Sequence, residues 1–302
     1  MRRIDVAKAV VTSTIAVVAL SIAAPTARAQ QAGADWWAYR PLQRPAVPDV
    51  GADPFVTNDI DRFVLARLRE RGLSPSAMAS REVLVRRLSY DLTGLPPSPE
   101  EVTSFVADAD PQAYEHLVDR LLASPQYGVA WGRHWLDLVR YAETNSFERD
   151  GTKPEVWRYR DWVVDAWNRD LPWGDFLRLQ LAGDEEPEPS LASVTATGYL
   201  RLGLWDDEPT DPLQAVYDDF DSIADTTARA MLGISIGCAR CHDHKKDPIT
   251  TRDYYSFLAF FEHLQPYRPT TGSGGGLSPE HYTRTMPADG AERTLAAARR
   301  DY

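Results

Sequence analysis

Apolar positions along most of this chain recur every three or four residues, and strict two-residue alternation is scarce. The spacing of Ile60, Phe63, Val64 and Leu68 predicts a helix capped by Thr57 or Asn58 and stopped at Gly72, where a left-handed residue is wanted. A second helix opens at Ser80, turns Val83, Leu84 and Leu88 inward and ends at Gly94. Ser98-Pro99-Glu100-Glu101 joins an N-cap, a first-turn proline and a glutamate placed for a capping box. Asp110-Pro111 starts another helix, carrying Tyr114, Leu117, Val118, Leu121 and Leu122. The pattern then turns aromatic, with Trp131, Trp135 and Leu138 on one face and Val156, Tyr159, Val163 and Trp167 on a face of the next helix. These aromatic stripes read as core.

Gly183 to Ser190 reads as a turn or linker, and Thr195 to Trp205 as the one short extended segment. A long helical pattern from Pro212 (Leu213, Tyr217, Phe220, Ile223, Thr227, Met231) runs into Gly233 and Gly237, and Thr251 to Phe261 forms a short aromatic helix. The fold expected is mainly α, a multi-helix bundle-like domain with long loops. It comprises an N-terminal helical region at 36–182 and a C-terminal one at 183–265 that carries the cysteine pair, the two read as one domain. The glycine-rich stretch after Thr270 is a flexible linker by composition, and 270–302 reads as linker and the start of a further region. The chain is thus expected to be the front part of a longer product or a shortened one.

Residues 1–29 add a compartment. A basic start (Arg2, Arg3, Lys8), an apolar run from Ala9 to Ala24 and the small-residue exit Ala27-Arg28-Ala29 have the form of a secretory signal peptide. The run is shorter than the roughly 20 residues that span a bilayer. An exported, periplasmic or extracytoplasmic chain without stable membrane insertion is expected. The formal charge is −11, and losing the four basic and one acidic residues of 1–29 takes it to −14, which argues against a nucleic-acid partner. With 43% hydrophobic residues, nine tryptophans, thirteen tyrosines and nine phenylalanines, the chain has apolar mass for one large or two small domains.

The two cysteines change the picture most. Cys238-Ala239-Arg240-Cys241-His242 is the attachment signature of c-type haem, in which both thiols form thioethers and the following histidine coordinates iron. Two blander readings stand beside it. A thioredoxin-like redox pair would want a βαβ context, and none surrounds this one. A structural zinc site needs four ligands, and Cys238, Cys241, His242 and His244 crowd into seven residues without a second pair at finger spacing. One pair of cysteines builds no disulfide framework, so the fold rests on its core.

If haem is bound, candidates for its sixth ligand are His134, His244, Met231 and His263. His134, on the aromatic helix, is either that ligand or a buried, hydrogen-bonded core histidine. Met231 reads as core filler. His244 is too close to His242 to reach the opposite haem face and serves better as a neighbour or as a ligand of a non-haem site. An acidic group (Asp206, Asp207, Glu208, Asp211, Asp218, Asp219, Asp221, Asp225) reads as a solvated loop and helix-start charges, or as a hard-cation site, without EF-hand spacing. Asp225 and Arg229 are placed for an i,i+4 pair. Glu143, Glu148 and Asp150 are candidates for an acid/base pair.

Five segments in order carry a family resemblance. They are Trp37-Ala38-Tyr39-Arg40-Pro41-Leu42, Asn58 to Phe63, Arg87 to Pro97, Trp131 to Leu138, and Cys238 to Lys245. Over roughly 36–265 the chain resembles the planctomycete cytochrome c-like domain of unknown function. The resemblance implies export, a separate cytochrome c module often in front and a second uncharacterised domain usually behind, with no established activity. On this resemblance the chain is expected to lack the preceding module and most of the following domain, and Lys246 stands where the family usually carries an aromatic before Asp-Pro. The expected function is an exported c-type haem protein, acting in electron transfer with a redox partner protein or as the redox module of a larger enzyme. Two alternatives are a non-haem hydrolytic or carbohydrate-acting module with a Cys/His metal or disulfide site, and a scaffold for a downstream domain.

Overall fold

Side-chain caps open six of the ten α-helices of the computed structural model, which describes residues 36–264 apart from 148–149 and 207–208. The signal-like segment and the linker at 270–302 lie outside the described residues. Among those described there are ten α-helices and no strand; the nearest approach to a sheet is an isolated bridge between Thr144 and Thr152. Helix α1 (Asp59–Glu70) is capped by Asn58 and Asp61 reciprocally, and α3 (Pro99–Ala107) by Ser98 and Glu101, so orphan N–H groups at each start are satisfied by side chains. Helix α2 (Arg81–Thr93) stops at Gly94, whose φ of 69° a residue with a Cβ adopts only under strain.

Three cores succeed one another along the chain. The first packs α2, α3 and α4 (Ala113–Leu122) through Val85, Phe105, Leu117 and Leu121. The second joins α5 (Pro125–Leu138), α6 (Trp157–Asn168), α7 (Trp173–Ala182) and α8 (Leu191–Ala196) through Trp135, Tyr159, Trp162, Val163, Phe176 and Tyr199. Inside it, fully buried Gln180 accepts from Trp135 Nε1 (2.9 Å) and from the Tyr159 hydroxyl (2.5 Å), so two polar handles of large aromatic residues stay paired. The third joins α9 (Pro212–Thr227) and α10 (Thr251–Leu258) through Phe220, Ile223, Ala239, Tyr254 and Leu258. Half-buried Leu200 packs against both the second and third cores.

Three expectations are corrected. Thr195 to Trp205 is helical: Ser190 and Ser193 form a capping box for α8, and a 3-10 turn follows at Thr197–Arg201. The β-branched residues that suggested extension are accommodated because Thr195 and Thr197 donate their hydroxyls to the carbonyls of Leu191 and Val194, both at 2.7 Å. In α2, Val83, expected inward, is exposed, and the buried apolar residue is Val85 with Leu84 and Leu88 half-buried beside it. In α5 the buried stripe is Gly128, Gly132 and Trp135, continued by Val139, and Trp131 and Leu138 are exposed. The glycines bring α5 against the backbone of α6, so the close approach, rather than the largest side chains, sets the inward face.

Candidate functional site

The cysteine turn is set by how α9 ends. Past Thr227 the helix widens into a π-turn over Ala228–Leu232 and stops at Gly233, with φ of 68°. The chain then folds back so that Ile236 and Ala239 enter the third core, and Gly237–Arg240 forms a 3-10 turn. Ala239 is fully buried, and the cysteines around it are exposed and unbridged.

Charged and aromatic partners pin this turn. Arg240 donates to Asp218 (2.9 Å) and Asp221 (3.1 Å) on α9, and the hydrogen bond with Asp218 leads in holding its guanidinium pKa above the usual value. Tyr254 donates its hydroxyl to Asp221, and Tyr255 donates to the Arg240 carbonyl at 3.2 Å. Burial, followed by the Asp221 bond, pushes the Tyr254 phenol well above its ordinary range.

His242 is exposed, and its Nδ1 lies 2.8 Å from the Asp243 carbonyl. That bond places the proton on Nδ1 and leaves a lone pair on Nε2, the arrangement found when imidazole ligates a metal. His244 is buried, and its Nδ1 accepts from the Asp247 amide at 2.9 Å, while its own amide donates to the Ile249 carbonyl at 2.8 Å. It therefore works as an internal brace of the loop that leads into α10. The Asp243 carboxylate accepts from the Thr251 amide at 2.9 Å, and Tyr39 from the far N-terminal motif donates to Asp247 at 3.1 Å.

The structure therefore joins the Trp37–Leu42 segment to the Cys238–Lys245 region. It also joins Arg87–Pro97 to Trp131–Leu138, since Trp131 Nε1 donates to the Asp91 carbonyl at 3.2 Å. The reading of His134 as a buried core histidine is corrected: it is exposed, with its ring edge-on to Trp131 at 5.8 Å. It sits on α5, which packs principally on α2 and α6, whereas the cysteine turn packs on α10. Met231 is half-buried against the second core, and His263 is exposed past α10.

The acidic group disperses into separate tasks. Asp211 caps α9, Asp218 and Asp221 hold Arg240, and Asp225 pairs with Arg229 at 2.7 Å. Asp207 and Glu208 lie outside the described residues, as does Glu148. Glu143 pairs with Arg160 at 3.1 Å, and Asp150 accepts from the Ser146 amide at 3.0 Å. Among the described residues, no three His, Cys, Asp or Glu side chains gather in a group that could hold a metal ion.

A large cleft of about 1010 Å³ opens elsewhere, between the loop before α6, the α7–α8 connection and the aromatic end of α10; no cysteine lines it. Its polar end is built by residues 140–147 and 150–153, where Arg140, Ser146 and Asp150 all hold positive φ (61°, 56° and 46°). Left-handed backbone in three non-glycine residues of one loop is held there by surrounding bonds such as Asn145 N–H to the Gly151 carbonyl (2.8 Å) and Trp205 N–H to the Asn145 carbonyl (3.1 Å). Burial, reinforced by Arg201 and Arg140, pushes the Lys153 ammonium down to about 8, and burial raises Asp219 to about 6. Asn145, Lys153 and Arg201 were not singled out as site residues in the sequence, and Asp219 only as one of the acidic group; only the fold brings Lys153, Arg201 and Asp219 within electrostatic range.

No helix among the described residues is long and apolar enough to cross a membrane. No curated protein and no solved structure matches this chain. Residues 59–266 match the PSCyt2 model, described as a protein of unknown function (DUF1549), and the chain belongs to that family.

Proposed function

We propose that this protein is an exported c-type haem protein, working in electron transfer or as the redox module of a larger enzyme. The observation that supports this best is the presentation of the motif: two exposed thiols straddle a buried alanine, and the next residue's imidazole is oriented by a carbonyl on Nδ1. These donors fit the group. Each thiol S–H would add across a porphyrin vinyl double bond, sulfur to one carbon and hydrogen to the other, with no leaving group and no net oxidant. Cys238 and Cys241 would anchor the porphyrin and His242 Nε2 would coordinate its iron; bound haem supplies a one-electron couple whose potential axial ligation and exposure tune. The Arg240–Asp218–Asp221 pairs tie the turn that carries both cysteines to α9, and signal-like residues 1–29 would direct the chain to the side of the membrane where such haem is attached.

The test is a pyridine haemochrome spectrum of the chain exported in a host equipped for haem attachment, beside Cys238→Ala/Cys241→Ala. A c-type spectrum abolished in the double variant, with a reversible iron couple by voltammetry, is expected. A colourless protein from a host that matures a control cytochrome overturns the proposal, and stoichiometric zinc or a Cys238–Cys241 disulfide in it would favour the hydrolytic or scaffolding alternatives.

A further inference from the structure

The large cleft carries an unbalanced set of polar groups at its inner end. Asn145 is 93% buried, lines the cleft, and its Oδ1 has no hydrogen-bond partner. A buried acceptor left unpaired is costly, so it marks a place where a donor is missing. Beside it, Lys153 Nζ donates to the carbonyls of Leu202 (3.3 Å) and Gly203 (3.0 Å). Among the described residues no carboxylate bonds this ammonium: Asp219 acts on it only through space, against Arg201 on the same wall and Arg140 behind it, whose Nε is buried and unpartnered. The acids on the lining are placed differently: Glu155 is paired with Arg158 at 2.6 Å, and Asp184 and Glu185 belong to the turn after α7. The opposite wall is apolar, with Leu200, Phe257 and Phe261, and Phe260 largely exposed.

We propose that this cleft binds an organic carboxylate that carries an amide or hydroxyl donor next to its acid group and an apolar body. The carboxylate meets Lys153 beside Arg201, the adjacent donor meets Asn145 Oδ1, and the body lies along Leu200, Phe257 and Phe261. A charge-assisted bond selects the acid, the unpaired acceptor selects the donor, and the volume suits a ligand of drug-like size. The proposal stands independently of haem, since the cysteines do not line the cleft.

Three probes of one shape test it by titration calorimetry on the full chain: N-benzoyl-phenylalanine, its alcohol N-benzoyl-phenylalaninol, which lacks the charge, and O-benzoyl-3-phenyllactate, in which an ester oxygen replaces the N–H. The acid is expected to bind about tenfold or more tighter than either relative, the effect of one charged or one buried hydrogen bond. Lys153→Met should abolish the preference for acid over alcohol, and Asn145→Ala the preference for amide over ester. Phe260→Ser, at an exposed position, should weaken all three by a common factor. Equal affinity of the three for the unaltered chain, or no saturable binding at millimolar concentration, overturns the proposal without any variant having to fold. Preferences that survive Lys153→Met and Asn145→Ala in folded protein overturn it as well. Cys238→Ala/Cys241→Ala should bind the acid as the unaltered chain does, which separates failure here from failure of the haem proposal.

Discussion

Gly128→Ala introduces a single methyl group at the contact between α5 and α6. Its Cβ would stand 2.3 Å from the Val164 carbonyl oxygen and 2.6 Å from Asn168 Cγ. The first obstacle is backbone of a packed helix, so relief requires the two helices to part by about 1 Å to reach ordinary van der Waals distance, and overpacking of this kind costs about 3 kcal/mol at its upper range. Asn168 must also move, and it accepts from the Gly128 amide at 2.8 Å while donating to the Pro125 carbonyl at 3.2 Å. Losing that cap costs about 1 kcal/mol more. Alanine returns about 1 kcal/mol through helix propensity. The net loss is about 3 kcal/mol, a fall of about 6 to 12 °C in Tm for a domain of this size.

Gly132→Ala is the internal control. Its Cβ would lie 3.4 Å from Val163 Cγ1 and 3.5 Å from Val164 Cγ2, an ordinary contact, so propensity should leave it as stable as the unaltered chain or up to about 1 kcal/mol more so. Thermal unfolding followed by circular dichroism on both variants decides. A Gly128→Ala protein melting at or above the unaltered chain, or a Gly132→Ala protein losing as much, would refute the reasoning.

Gln180→Leu leaves the Tyr159 hydroxyl and Trp135 Nε1 without the carbonyl they share, and should cost about 1–3 kcal/mol in urea unfolding with unchanged m; a variant of unaltered midpoint would show the network to be dispensable. Arg240→Ala should leave global stability within about 1 kcal/mol, because its ion pairs are half exposed, yet speed amide exchange around Ala239 and His244; unchanged local exchange would show that the pins do not hold the turn. Asp219 has its carboxyl raised from 3.8 to about 6, so the folded chain holds that proton more tightly than the unfolded one. Stability is therefore fully kept below about pH 4 and falls as pH rises to about 6, by about 3 kcal/mol relative to Asp219→Asn. Urea midpoints of both proteins from pH 4 to 7 check the sign, and a flat or rising difference contradicts it.

What could be read in advance was local. The caps at Asn58 and Ser98 and the stops at Gly72, Gly94 and Gly233 depend on side chains and φ angles within a turn, so their signals sit next to one another in the sequence. The phase of α5 depends on α6, some 30 residues away, and tryptophans on both faces concealed the glycine stripe. Thr195 and Thr197 carry strand-like propensity that their hydroxyl bonds to the preceding turn override. At the candidate site, the Cys238–His242 spacing was visible because its residues adjoin in the sequence, and Ala239's burial was not, because it depends on a core completed by Tyr254 and Leu258 of α10. The cleft had no linear signature: Asn145, Lys153 and Arg201 are individually ordinary, and the left-handed loop that presents the first two contains no glycine at its strained positions.

Ala239 has a consequence for the order of assembly. A prosthetic group tethered on either side of a residue already sealed into the interior is an addition to a finished surface rather than part of the filling. On the haem proposal the chain should therefore reach its mature shape before it is coloured, with limited proteolysis giving the same resistant fragments for the Cys238→Ala/Cys241→Ala chain as for the unaltered one. Maturation would then act on a folded client, and a chain that missed it would persist as an intact, silent copy rather than be cleared as a misfolded one.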